Sequence, residues 1–235
     1  MNDKTACEIY SRTPFAIIRS IYKREFYPFL CINGIPLLFK EVTVSAEDLK
    51  GTAFFALAAH TDISPEIYRS KKLIVADRWA LTVYNGGGFA KELKENQAIL
   101  IREGEPVGMK TESGAIYIEI TIRSDSKMNK AVEAGNVFSL KDLVPYQPGR
   151  IVNMDVASNE KMKFVVMAFD KETGLSEHAA PGEALIFALD GEGIIGYEGK
   201  EYPIKAGENF KFAKRGRHYV KANGQFKMAL LLTLE

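Results

Sequence analysis

Cysteine is nearly absent from this chain: Cys7 and Cys31 are its two, and tryptophan occurs once. Two thiols with no spaced pattern exclude a disulfide framework and point to reduced cysteines in a cytoplasmic protein. A surplus of one charge sign is also lacking. Thirty-one Lys and Arg face 30 Asp and Glu, a formal net charge of +1. Nothing therefore marks a polyanion-binding protein, and no nucleic-acid partner is expected. No helix-turn-helix pattern is evident either. Long apolar runs are missing: AFFALAA (53–59) and ALLLTL (229–234) are strand-sized, against the roughly 20 residues a membrane helix needs. No membrane association is expected, and MNDKTACEIY lacks the apolar core of a signal peptide. Histidine is scarce as well, with His60, His178 and His218 making three.

What is present is the composition of a globular protein with a real core. Apolar residues make up 46% of the 235 and charged residues 26%, enough for one large domain or two of ordinary size. An internal repeat favours two. Residues 51–83 align without a gap under residues 163–195, with Ala56 under Ala168, Ile63 under Leu175, Ser64 under Ser176 and Leu73 under Leu185. Upstream, Pro36 falls under Pro148. Downstream, residues 93–111 match residues 204–222 with a shift of one.

Each copy reads as β. Short runs rich in Val, Ile, Phe and Tyr alternate with turn signals at regular spacing, the pattern of a sandwich or barrel. YNGGGF (84–89) and YEGKEY (197–202) read as hairpins. The chain divides into an N-terminal arm (1–30), a first barrel (31–122), a polar linker (123–135) and a second barrel (136–235). Within the arm, RTPFAIIRSIYKREF (12–26) suits either a helix capped by Thr13 or an edge strand.

LSEHAAPGEALIFALDGEGIIGYEGKEYPIKAGENFKFAKRGRHYVKA, within the second copy, resembles the core of the cupin superfamily, in particular the small bacterial conserved-barrel cupins. Motif, hairpin, AGE turn and a second-motif histidine occur in the family's order. The resemblance covers about residues 136–235 and extends through the repeat to about 31–122. It implies an all-β bicupin: two tandem double-stranded β-helix (jelly-roll) barrels behind the N-terminal arm. It leaves activity open, because cupins include dioxygenases, decarboxylases, isomerases, storage proteins and sensor domains.

Metal-binding members supply His-x-His and a Glu from the first motif and one more His from the second. On that pattern His178 and His218 take two ligand positions, while Ala180 and Ala184 stand where a histidine and the glutamate would be. Alternation along a strand turns Glu183 away from Ala184's face. A bulge at Pro181–Gly182 would turn it inward and complete a two-His-one-carboxylate set for Fe, Mn, Ni or Zn. Without that bulge, two histidines and water make a weak, low-occupancy metal site, and a neutral pair in an apolar pocket can also act as acid and base. The expected pocket floor is Ala180, Ala184, Ile186 and Ala188. No nucleotide cofactor is expected.

In the first copy none of these histidines survives. Glu66 lies under His178, Tyr68 under Ala180, Lys72 under Ala184 and Val107 under His218. Glu66 and Lys72 share inward columns and are predicted to form an ion pair, since an unpartnered buried charge is costly. Lys72 with Tyr68 could instead hold an anionic ligand. His60 reads as a solvated loop residue, and the basic KFAKRGRH (211–218) as a charged strand edge. The expected protein binds a small organic molecule in its second barrel, directly or through a divalent metal, and forms a homodimer. A metal-dependent dioxygenase or isomerase of a small sugar or acid, and a ligand-free assembly barrel, are the competing readings.

Overall fold

The computed structural model describes residues 29–32, 35–38, 44–49 and 51–234, the first three segments as strand backbone. The expected element over 12–26 lies outside the described residues. Among those residues every regular element is a strand, apart from one 3-10 turn at Leu140–Leu143. The chain opens with β1 (Phe29–Ile32), β2 (Ile35–Leu38), β3 (Val44–Leu49), β4 (Thr52–Leu57), β5 (Thr61–Ile67) and β6 (Lys71–Arg78). It continues through β7 (Leu81–Tyr84), β8 (Ala90–Leu93), β9 (Gln97–Ile101), β10 (Pro106–Thr111), β11 (Ala115–Ile122), β12 (Lys127–Met128) and β13 (Val137–Ser139). Then come β14 (Ile151–Asn159), β15 (Met162–Phe169), β16 (Gly174–Ala179), β17 (Ala184–Tyr197), β18 (Lys200–Lys205), β19 (Asn209–Phe212) and β20 (Arg217–Thr233).

These strands form two compact units, a first of Leu38–Leu140 and a second that runs from Lys141 onward and also takes in β1 and the start of β2. In the first, β5-β10-β7-β8 make one sheet and β13-β9-β6-β11-β4-β3 the other. The inner faces of the two sheets meet in a core of Leu57, Ile74, Ala76, Leu81, Val83, Leu93, Ile99, Ile101, Val107, Met109, Ala115 and Tyr117. Period-two alternation selects these residues: Ile74 and Ala76 come from β6, Ile99 and Ile101 from β9. Fully burying each large one is worth about 1.5–3 kcal/mol. The strand β13, within the segment the sequence assigns to the second barrel, pairs with β9 of this first unit, Val137 opposite Ile99.

In the second unit the order is β14-β15-β20-β17-β18, with β16 also on β20 and β19 on β17. The two longest strands, β17 and β20, curl this sheet around its own core. Their register slips between Ala188 and Asp190 and between Gly191 and Gly193, and such slips sharpen a strand's bend. Gly191 is indispensable there. It has φ +69°, and a Cβ on it would lie 1.9 Å from the Gln225 carbonyl oxygen. The core gathers Val165, Met167 and Phe169 from β15, Ala184, Ile186 and Ala188 from β17, Phe210 and Phe212 from β19, and Val220, Phe226 and Met228 from β20. Both units are all-β jelly-roll barrels, the class the sequence predicts.

The internal repeat holds at the level of register. In the first unit Glu66 pairs with Val107 and Ile63 with Met109, so Ser64 and Pro65 together oppose Gly108. In the second, His178 pairs with His218 and Leu175 with Val220, so Ser176 and Glu177 together oppose Tyr219. The same one-residue bulge therefore stands at the same place in both copies. In each it sits immediately before the same rung, Glu66–Val107 in the first unit and His178–His218 in the second.

Candidate functional site

The second-unit site grows from that bulge. One extra residue in β16 shifts the side-chain phase of everything after it. It brings His178 level with His218 on the neighbouring strand. Their ring centroids are 4.3 Å apart, with planes inclined at 54°. His218 is buried, 5% exposed, and stacks on Phe212 at 4.0 Å and 23°. His178 stands at the exposed side of the pair. Phe212 is backed in turn by Phe210 at 5.2 Å and Tyr197 at 5.4 Å.

Backbone contacts fix the tautomers. The Nδ1 of His178 lies 2.8 Å from the Ser176 carbonyl oxygen, and that of His218 lies 2.9 Å from the Gly216 carbonyl oxygen. A carbonyl can only accept, so each Nδ1 carries the hydrogen and each neutral ring presents a bare Nε2 lone pair. Burial pushes the His218 pKa down; the Gly216 hydrogen bond opposes this, and neighbouring His178 adds to it. His218 is therefore neutral at pH 7. The two Nε2 lone pairs, one on each ring, can accept hydrogen bonds from a ligand.

Glu183 keeps the outward phase that alternation predicts and does not take the third ligand position that a bulge at Pro181–Gly182 would have given it. Glu183 is half-buried and lies 3.7 Å from the Lys211 ammonium, while Ala184, the next residue, points into the core. The Glu183 carbonyl accepts bonds from the Thr233 amide at 2.9 Å and hydroxyl at 3.1 Å, which ties this strand start down in the outward phase. The bulge lies at Ser176–Glu177, just before His178, and not at Pro181–Gly182, where it would have rotated Glu183 inward. No group of three His, Cys, Asp or Glu side chains suited to a metal exists among the described residues. Two imidazoles without a carboxylate do not fit the three-protein-ligand centres of Fe, Mn, Ni or Zn.

The expected floor is apolar throughout. Ala184, Ile186 and Ala188 belong to the core with the aromatic rings. Ala180 is buried beside it, its carbonyl accepting the Arg215 amide at 2.9 Å. Within the basic run 211–218, Lys211 meets Glu183 just ahead of β17, and Arg217 meets Glu177 on β16. His60 is exposed and meets the equally exposed Glu112 at 3.1 Å. Sequence reasoning missed Phe212 as the ring beneath His218. FKF (210–212), alternating aromatics just before the second-motif histidine, was the available signal.

In the first unit the structure replaces the predicted Glu66–Lys72 pair. Glu66 is exposed. Lys72 bonds the Thr121 hydroxyl at 3.0 Å and lies 3.5 Å from Glu119 on β11, which also accepts the Tyr68 hydroxyl at 2.8 Å. Glu119 lies on β11, whose pairing partner is β6, with Thr121 level with Lys72. Glu66 lies on β5, an edge strand of the other sheet. Sequence reasoning passed over Glu119 because it stands inside the apolar run AIYIEITI.

Residues 165–234 match the family model described as "Cupin domain". No curated protein matches the chain. Among solved structures, a cupin 2 conserved barrel domain protein from Leptotrichia buccalis is 24% identical, with a TM-score of 0.67 over 82% of this chain and 88% of that one. A salicylate 1,2-dioxygenase from Pseudoaminobacter salicylatoxidans is 10% identical, with a TM-score of 0.54 over 77% of this chain and 67% of that one. At these identities the likeness is one of fold.

Proposed function

The C-terminal barrel is a cupin domain of the cupin superfamily, and from that premise we propose that it binds a small organic molecule directly through His178 and His218. The observation that carries the reading is the pair of facing imidazoles, each with Nδ1 committed to a backbone carbonyl and Nε2 bare. Two acceptors over an aromatic floor suit a ligand that donates from hydroxyl or N–H groups and lays an apolar face on the rings. The donor set argues against a resident metal, so the dioxygenase and isomerase readings lose their main requirement.

Thermal melting with a panel of phenols, sugars and hydroxy acids tests this, with metal analysis of protein purified without a chelating tag. The expected result is metal well below one equivalent, and a saturable rise in Tm with at least one hydroxylated compound. His178→Ala and His218→Ala should each abolish that rise. Stoichiometric metal lost in both variants would replace this reading with a metal site. Melting unaffected by every compound would leave the barrel a structural one.

A further inference from the structure

The first barrel carries a polar interior that the second lacks. Along β11 the inward face reads Ala115, Tyr117, Glu119, Thr121, and β6 sets Ala76, Ile74 and Lys72 opposite the last three in register. In the second barrel, where β17 pairs with β20, the residue corresponding to Lys72 is Ala184, and its partners are Leu232 and, two and four residues on, Leu230 and Met228. A buried Glu and Tyr, with a half-buried Lys and Tyr beside them, have thus taken the place of an apolar lining. Burying them is costly unless every polar atom is matched.

One is not matched. The Tyr117 ring is 0% exposed and stacks on Phe55 at 4.8 Å, yet its hydroxyl has no hydrogen-bond partner among the described residues. Burial, and after it the charge of Glu119, raise its pKa, so it remains a protonated donor close to the carboxylate cluster. The rest of the cluster is also rich in donors. Glu119 already accepts from Tyr68 and faces Lys72, and Lys72 spends one N–H on Thr121. An ammonium has three hydrogens, so Lys72 retains one for a further acceptor. Its 19% exposure is where the cluster reaches solvent. The side of the Tyr68 ring at 5.1 Å from the ammonium lines the same approach.

We propose that the first barrel holds a second ligand site, formed by Tyr68, Lys72, Tyr117 and Glu119, that takes a small carboxylate. The missing partners are acceptors, and a carboxylate offers several on a small frame. One oxygen meets the Tyr117 hydroxyl and the other the remaining Lys72 hydrogen. The apolar body rests among Phe55, Val107 and Ile101, which line this core.

The test is thermal melting of the full chain with sodium acetate, sodium succinate and sodium benzoate against sodium chloride at equal ionic strength. At least one carboxylate should raise Tm saturably, and the His178→Ala/His218→Ala variant should keep that response. Tyr117→Phe should leave the ligand-free Tm unchanged or higher, because it deletes an unsatisfied hydroxyl, and should weaken the carboxylate response at least tenfold. Lys72→Met/Glu119→Gln, which removes both charges together, should weaken it equally and decides the matter if Tyr117→Phe does not fold. No salt-specific rise with any of the three carboxylates overturns the proposal. So does a response retained in the altered first barrel, or a fall in ligand-free Tm on Tyr117→Phe, which would mean that the hydroxyl already has a resident partner such as water.

Discussion

His218 is the residue through which pH reaches the second barrel. Its folded pKa is depressed by burial, so on acidification the unfolded chain takes up the proton first, near its ordinary value of about 6.5. The stabilisation is fully present above that value and is lost as pH falls toward the folded pKa. Melting followed from about pH 8 to about pH 5 should decline more steeply for the native chain than for His218→Gln. Lys72 and Glu119 set a second residue-scale test. Lys72→Met strands a carboxylate that is 4% exposed, and should cost about 2–3 kcal/mol in urea denaturation at neutral pH. Lys72 normally lowers the Glu119 pKa against the larger effect of burial, which raises it. Its loss lets Glu119 protonate more readily, so the penalty should shrink as pH falls. Lys72→Met/Glu119→Gln should recover most of it.

At the scale of elements the bulges matter most. Gly108 faces the bulge of the first barrel, and a Cβ there would lie 2.5 Å from the Ile63 carbonyl oxygen and 2.8 Å from the Pro65 nitrogen. Both are backbone atoms that cannot turn aside. Gly108→Ala should therefore destabilise the first barrel by about 2 kcal/mol, seen as a lower urea midpoint, unless the bulge irons out and Glu66 changes face. The sequence made the β character and the hairpins at 84–89 and 197–202 legible because alternation and turn residues are local. It also made His178 and His218 legible, since a family motif spaces them across two strands. It did not reveal the bulge at Ser176–Glu177, because an extra residue in a ladder leaves no compositional mark. The placement of Glu183 followed correctly from simple alternation after Gly182. The Glu66–Lys72 pairing failed for a different reason. Matching columns between copies cannot show that a third strand, β11, brings a carboxylate closer.

At the scale of the molecule, the two polar sites belong to separate cores and, among the described residues, share no hydrogen-bond or ring partner. His218→Gln and Lys72→Met should therefore be additive in stability to within about 0.5 kcal/mol, measured by chemical denaturation of the single and double variants. Their chemistries are complementary in kind, one presenting acceptors and the other donors. The shared bulge has a further consequence. Glu66 and Val107 occupy the rungs that His178 and His218 occupy next door, so the backbone there is a socket whose fittings can be exchanged. Transplanting Glu66→His with Val107→His would seat two imidazoles side by side in a scaffold that already has the right kink to hold them.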